Sequence, residues 1–290
     1  PGTCNDTFGT RTPASDGVSL GGGTTAIPYS QNVSNLTPAT AYYYCAIAQN
    51  SAGIGMGTVV SFTTSAPTPP SGQIALAGSA VSAVIVSGAT LTLPSWSPNS
   101  NDLLLVQVAV RDETKLISVV GNNLTWAEVA DVNSAKGEGG VALFWAQGSS
   151  PTVGSVTVTV SDNTLPVSVV GQRFSGVSTD VPIEATQVNP GPASPLSNNN
   201  DMFDSVTTQT AGAWVVGAAW HRNPTLKTPL PSGETAILIN NVVGTLGNTT
   251  RASMWYQGPV DPPGSTQLGA LDDLSASGEW ALILVSLKPG

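Results

Sequence analysis

The stretch NLTPATAYYYCAIAQNSAGIGMG, residues 35–57, alternates. Leu36, Pro38, Thr40 and Tyr42 recur at every second position, and Tyr44, Ala46 and Ala48 continue the series. A period of two places these side chains on one face of a β-strand. Asn50, Gly53 and Gly57 then supply turn residues. TVVSFTT, residues 58–64, is rich in β-branched side chains and predicts a second strand. The first part of the chain is therefore expected to hold an antiparallel β-structure.

Outward from this stretch the composition sets bounds. A length of 290 residues predicts about two domains. Only 9% of residues are charged, against about 25% in ordinary globular proteins. No run of like charge is present, so neither a nucleic-acid patch nor a basic membrane segment is indicated. The net charge of −9 also disfavours anionic partners such as nucleic acid. The longest apolar stretch, IALAGSAVSAVIV at residues 74–86, is broken by Gly78 and Ser79. It falls short of the roughly 18 residues a membrane-spanning helix needs. No signal peptide is visible in the sequence, so any export signal is expected upstream of Pro1.

SAPTPPSG, residues 65–72, reads as a Pro-rich linker, because proline cannot donate to a strand ladder and favours extended backbone. This gives residues 1–64 as one domain, 65–72 as the linker and 73–290 as a larger β-domain. VSAVIVSGATLTL, NDLLLVQVAV, LTWAEVADV, GVALFWAQ, SVTVTVS and LPVSVVGQRFSGV are expected strands. So are GAWVVGAAWH, TRASMWYQ and GEWALILVSL. No amphipathic helical pattern interrupts them, and the number and spacing suggest a sandwich with Greek-key connections. All seven tryptophans fall in this second region.

The order Leu-x-Pro-x-Thr-x-Tyr at Leu36 to Tyr42, then Ala48-Gln-Asn50, a Gly-containing turn and Phe62-Thr-Thr, resembles the end of a bacterial extracellular fibronectin type III domain. TFGTRTPAS, residues 7–15, resembles that family's strand C, with Phe8-Gly9 in place of Tyr-Gly. The resemblance implies strands C, C′, E, F and G, with strands A and B missing from a sandwich of about 100 residues. It also makes Tyr42 the corner tyrosine, its hydroxyl tied to nearby backbone. Cys4 would lie in strand C and Cys45 in the adjacent strand F, pointing outward. That implies a Cys4–Cys45 disulfide on the outer face of the sheet, the alternative being two separate thiols. Residues 75–287 resemble jelly-roll domains of bacterial surface and phage-associated proteins. The resemblance rests on GNNLTW at residues 121–126, FSGV at 174–177 and Trp280-Ala281. It implies a two-sheet sandwich, and Trp145, Trp214 and Trp280, which stand inside expected strands, are expected to pack between its sheets. It carries no common activity.

Groups that titrate or attack are few. His221 is the one histidine, at a strand end beside Arg222, where a surface or hydrogen-bonding role is commoner than catalysis. No nucleophile elbow is present, and one histidine with two cysteines does not make a metal set of those ligands. Glycosidases need two carboxylates at a set separation. The acids here, among them Asp112, Glu113, Glu128, Asp131, Glu138, Glu184, Glu234, Asp272, Asp273 and Glu279, are mostly placed at turns and strand ends. NNNDMFD, residues 198–204, gathers oxygen donors, so Asp201 and Asp204 are candidate Ca²⁺ ligands, with a plain polar turn as the commoner alternative. Trp96, in LPSWSPNSN, is the candidate platform for stacking a sugar ring, against the commoner loop tryptophan that caps a core. Asn-x-Ser/Thr sequons occur at Asn5, Asn32, Asn35, Asn123 and Asn248, a number that an Asn-, Ser- and Thr-rich chain reaches by chance.

These readings converge on an all-β, non-catalytic structural or adhesive protein of the bacterial exterior, secreted or at the cell surface. No cofactor is required. The expected partners are neighbouring subunits, as in a surface filament. The alternatives are a carbohydrate-binding accessory region of a larger secreted enzyme and a phage fibre or decoration protein. A sandwich without strands A and B would leave Tyr42, Tyr44, Ala46 and Phe62 facing water. The candidates to cover them are upstream strands of a longer chain, the second domain folding back, and a strand from a neighbouring subunit.

Overall fold

The structure is a computed structural model. It describes residues 2–5, 7, 9–15, 17–37, 40–64, 72–111, 117–161, 164, 166–192, 202–222, 235–241, 250–270 and 279–290, with backbone only for 236–241 and 270. The described residues are all-β, with several antiparallel sheets and no helix. The chain divides into two units, Pro1–Thr68 and Pro69–Gly290. The division falls within the Pro-rich stretch 65–72, whose residues 65–71 lie outside the described residues.

The first unit holds two short ladders. β1 (Ala41–Tyr44), β2 (Ile47–Asn50), β3 (Gly53–Met56) and β4 (Val60–Thr63) follow one another in the chain. β2 pairs with β3 across the tight turn at Ser51-Ala52, and β1 pairs with β4 outside them. Between the ladders the Gly57 amide donates to the Ala46 carbonyl at 2.8 Å, so the four strands form one long, interrupted hairpin. The β-branched and aromatic residues expected to form these strands do so. The expected strands C, C′ and E are not formed: among the described residues of 2–37 none is in a strand. The reason is local. Val18, Leu20, Ile27, Tyr29 and Val33 are too sparse to sustain alternation, Gly21-Gly22-Gly23 interrupts them, and all five remain exposed. Phe8, part of that expectation, lies outside the described residues.

The second unit is built differently. Its first half contains β5 (Ala75–Leu76), β6 (Val81–Ile85), β7 (Thr90–Thr92), β8 (Leu103–Arg111), β9 (Ser118–Gly121), β10 (Ala127–Asn133), β11 (Gly139–Ala146), β12 (Val156–Thr159) and β13 (Val167–Ser175). Its second half contains β14 (Ile183–Asn189), β15 (Met202–Thr207), β16 (Ala213–His221), β17 (Thr235–Asn241), β18 (Arg251–Val260), β19 (Ser265–Ala270) and β20 (Trp280–Leu287). Two large sheets, β10-β11-β8-β13 with β5 and β6 on the far edge and β14-β20-β16-β18-β17, face each other. Between them lie Leu103, Leu105, Leu143 and Phe174 from one sheet and Val216, Trp220, Met254 and Ile283 from the other.

The outer face of each large sheet is covered as well. β7-β12-β9 packs on the first through Leu91, Val119, Val156 and Val158 against Leu104, Val106, Val108 and Phe144. β15-β19 packs on the second through Met202, Val206 and Leu268 against Val215, Trp255, Leu282 and Leu284. The unit therefore has four layers where two were expected. Double coverage explains why LLLVQVAV and WALILVSL read as nearly continuous apolar runs, broken only by Gln107 and Ser286: both faces of β8 and β20 need apolar side chains. Trp145 and Trp214 pack at the rim of the central core, while Trp280 belongs to the outer one.

The two halves repeat one topology. The large sheets run β10-β11-β8-β13-β6 and β17-β18-β16-β20-β14, the same order of strands when each half is counted through. In the thin layers β7-β12 corresponds to β15-β19. The edge strands β10 and β17 each carry a bulge, at Glu128/Ala130 and Ala236/Leu238. The sequence does not keep this in register: Ala142-Leu-Phe-Trp145-Ala-Gln147-Gly148 and Ala252-Ser-Met-Trp255-Tyr-Gln257-Gly258 share a pattern, but Trp145 faces the central core and Trp255 an outer one. Residues 73–290 are thus two like sandwiches stacked through their large sheets.

Candidate functional surface

The hairpin of the first unit presents an apolar face to solvent. The cross-strand register Tyr42↔Phe62 and Tyr44↔Val60 puts four apolar side chains on one side of the ladder. Phe62 stacks on Tyr42 with ring centroids 5.9 Å apart and meets Tyr44 edge-on at 6.1 Å. Phe62 and Val60 nevertheless stay more than two-fifths exposed, and Tyr44 is 55% exposed. The second ladder adds exposed Ile47, Ile54 and Met56, which share a face. Large exposed apolar patches mark interaction surfaces.

This face is held in place by the expected ties. The Thr37 amide donates to the Tyr42 hydroxyl at 2.8 Å, which holds the phenol below its ordinary titration range. The Thr64 hydroxyl donates to the Thr37 carbonyl at 2.7 Å, closing the same corner. Cys4 and Cys45 form a disulfide across 6.0 Å between Cα atoms. Cys45 lies at the interruption between β1 and β2, and buried Cys4 sits against the Ala46 carbonyl. The bond therefore fastens the N-terminal segment to the middle of the hairpin and does not link two strands.

The sequence candidates of the second unit fare differently. Trp96 is not a platform: it is 3% exposed. Its backbone bridges Gly154 in both directions, at 2.8 and 3.0 Å. Its indole lies on Gly171, where an added Cβ would fall 2.4 Å from the ring. The loop around it is pinned by Arg173, which donates to the Ser97 carbonyl at 2.7 Å and pairs with buried Asp102 at 3.2 Å. The ring is thus buried in the core and has no exposed face for a sugar to stack on.

Asp201 lies outside the described residues. Asp204 stands within β15, where one carboxylate oxygen accepts from Gln187 at 3.2 Å and the other from the Ser205 amide. No group of three or more metal-binding side chains occurs among the described residues. Nor, among them, is there a helix long and apolar enough to cross a membrane. His221 is buried, and its Nε2 lies 3.0 Å from the hydroxyl of fully buried Ser253.

Several acids expected to be solvated are structural ties. Glu184, at the irregular start of β14, accepts from the Gln209 amide, the Thr210 amide and hydroxyl, and the Ser286 hydroxyl at 2.7–3.2 Å. Glu138, in the β10–β11 turn, accepts from Arg111 at 3.2 Å and from Arg222 of the facing sheet. Lys136 reaches across the same gap to Glu279 at 3.3 Å. Burial opposes the charge of Glu138, yet the Arg111 hydrogen bond and the charges of Arg222, Arg111 and Lys136 hold its carboxyl below the ordinary range. These pairs clamp the two large sheets at one end. On edge strand β10, Glu128 is pushed the other way, by burial and by Asp131 beside it. Glu138 and Glu279 are both committed to cations, so their proximity does not make an acid–base pair.

Sequence reasoning missed β5, β9, β14, β17 and β19; it also missed the clamp, whose residues stand at the ends of expected strands and meet only where the two sheets come together. No residue pattern marks the doubling: the paired Ala-x-x-Trp-x-Gln-Gly segments put their tryptophans on opposite faces of their sheets. Comparison with known proteins finds no match: no family model, no curated protein and no solved structure resembles the chain.

Proposed function

We propose that this chain is a non-catalytic structural or adhesive protein of the bacterial exterior. The observation that carries the reading is the contrast between its units. The second is a four-layer body in which the described polar candidates Glu138, Glu184, Asp204, His221 and Glu279 are engaged in internal ties. The first presents a fastened but uncovered aromatic hairpin. A rigid body joined to an apolar contact face suits a building block better than a catalyst. The Cys4–Cys45 bond supports an oxidising location, where such bonds persist. The low charge and the fibronectin type III-like and jelly-roll-like motifs agree with an exported surface module. Immunogold electron microscopy of cells that make the protein tests this. Label on surface material outside the envelope is the expected result, and label confined to the cytoplasm rules the reading out.

A further inference from the structure

We infer that the uncovered hairpin face takes residues 17–33 of a second copy of this chain, in a reciprocal exchange. The inference rests on the building-block reading above and names its contact. Two surfaces in the first unit are left exposed at once. One is the Tyr42, Tyr44, Val60 and Phe62 face. The other is the segment from Gly17 to Val33, where Val18, Leu20, Ile27, Tyr29 and Val33 are each 42–55% exposed. Among the described residues, no backbone hydrogen bond joins positions 18–36 to the rest of the chain. The outer edges of β1 and β4 are likewise unpaired among the described residues. The segment therefore has donors, acceptors and apolar side chains to offer, and the hairpin has an edge and a face to receive them. Addition of an extended peptide to a sheet edge is an established binding mode.

Area separates the ways in which two copies could meet. An aromatic side chain carries roughly 150–250 Å², so the half-exposed hairpin face offers about 300 Å². On the same scale the five side chains of the segment offer about 400 Å². Two hairpins face to face would bury about 600 Å², below the ~1,200–2,000 Å² of a stable interface. Reciprocal exchange uses hairpin and segment of both copies and reaches about 1,400 Å², within that range. Charge does not oppose it: Asp6, Arg11 and Asp16 are the only charged side chains in residues 1–68, although the chain as a whole carries −9. A strongly charged partner would find nothing to pair with there.

Sedimentation of the full chain over a range of concentrations tests the inference. The wild type is expected to associate, and Tyr44→Ser/Phe62→Ser to sediment as a monomer while keeping its far-ultraviolet circular dichroism and its disulfide. Val84→Ser/Val86→Ser, exposed positions of the second unit, should associate like the wild type. As a second measurement, a photo-crosslinking amino acid at position 27 in a mixture of ¹⁴N- and ¹⁵N-labelled chains should give mixed-isotope links to residues 41–63. A wild type monomeric at every concentration, association that survives Tyr44→Ser/Phe62→Ser, or links confined to one isotope would each overturn it. A monomer still found on surface material would sink this contact and leave the building-block reading standing. Association without surface location would do the reverse.

Discussion

At the scale of single residues, Trp96 shows how one side chain can be read two ways. In sequence it stands in a Pro- and Ser-rich loop, where capping a core is the commoner role and an exposed platform the alternative. In the structure Gly171, on the neighbouring sheet, removes a side chain where the indole needs room. The burial fits the commoner core-capping role, but the sequence carries no mark that joins positions 96 and 171, so the partner was not legible. A paired test follows. Trp96→Ala should destabilise by about 3–5 kcal/mol, as large aromatic truncations in cores do. Gly171→Ala should cost about 1–3 kcal/mol through overpacking. In the Trp96→Ala background, however, the added methyl finds space, and Gly171→Ala should become close to neutral. Urea unfolding of the four chains measures the coupling. Strict additivity would mean that the ring and the glycine do not meet. By contrast, the hydroxyl tie of Tyr42 was implied by the motif resemblance around it, and its partner Thr37 is five residues away.

At the scale of elements, strands with one covered face or a long apolar run were readable, and short or polar edge strands were not. β8, β16 and β20 announce themselves by nearly continuous apolar runs, and β13 by its Val- and Phe-bearing alternation. β14 and β9 carry mixed polarity, since each has an exposed side, and their partners are distant in sequence. Charged positions depend on those long-range pairings too, and their titration gives a prediction with two opposite signs. Glu138 titrates below its ordinary range in the folded chain. Its contribution to stability is therefore complete above the ordinary carboxylate value and is lost as pH falls through the lower folded value. Glu128 titrates above its ordinary range. The penalty of its charge is present above that raised value and is relieved as pH falls toward the ordinary one. Glu138→Gln should therefore destabilise at pH 7, by about 1 kcal/mol or less given its partial exposure, and the deficit should shrink in acid. Glu128→Gln should be neutral to stabilising at pH 7, and its advantage should shrink in acid. Denaturant unfolding at neutral and acidic pH checks both; the same sign for the two variants would show that the clamp and the acid pair are not as described.

At the scale of the whole molecule, the two units differ in what holds them. The second unit buries three clusters of apolar side chains, and its two sandwiches share the central one. Neither half can lose that shared layer alone, so the unit should unfold in one cooperative transition. The first unit buries few large apolar side chains and depends on the Cys4–Cys45 bond, which spans 41 positions. A loop of that size constrains the unfolded chain by roughly 3–4 kcal/mol in the entropy model, enough to decide the fate of a weak core. The aromatic residues separate the two signals. All seven tryptophans lie beyond residue 69, whereas four of the five tyrosines, Tyr29, Tyr42, Tyr43 and Tyr44, lie before it. Tryptophan emission therefore follows the second unit, and tyrosine absorbance follows mainly the first. On reduction and alkylation, the tyrosine signal should lose its cooperative transition while the tryptophan-detected melting temperature stays in place. One kilocalorie per mole moves the melting point of a unit this size by about 2–4 °C. A fall of the tryptophan transition by more than about 4 °C on reduction would mean that the disulfide supports the second unit as well, and that the two cannot be treated as separate bodies.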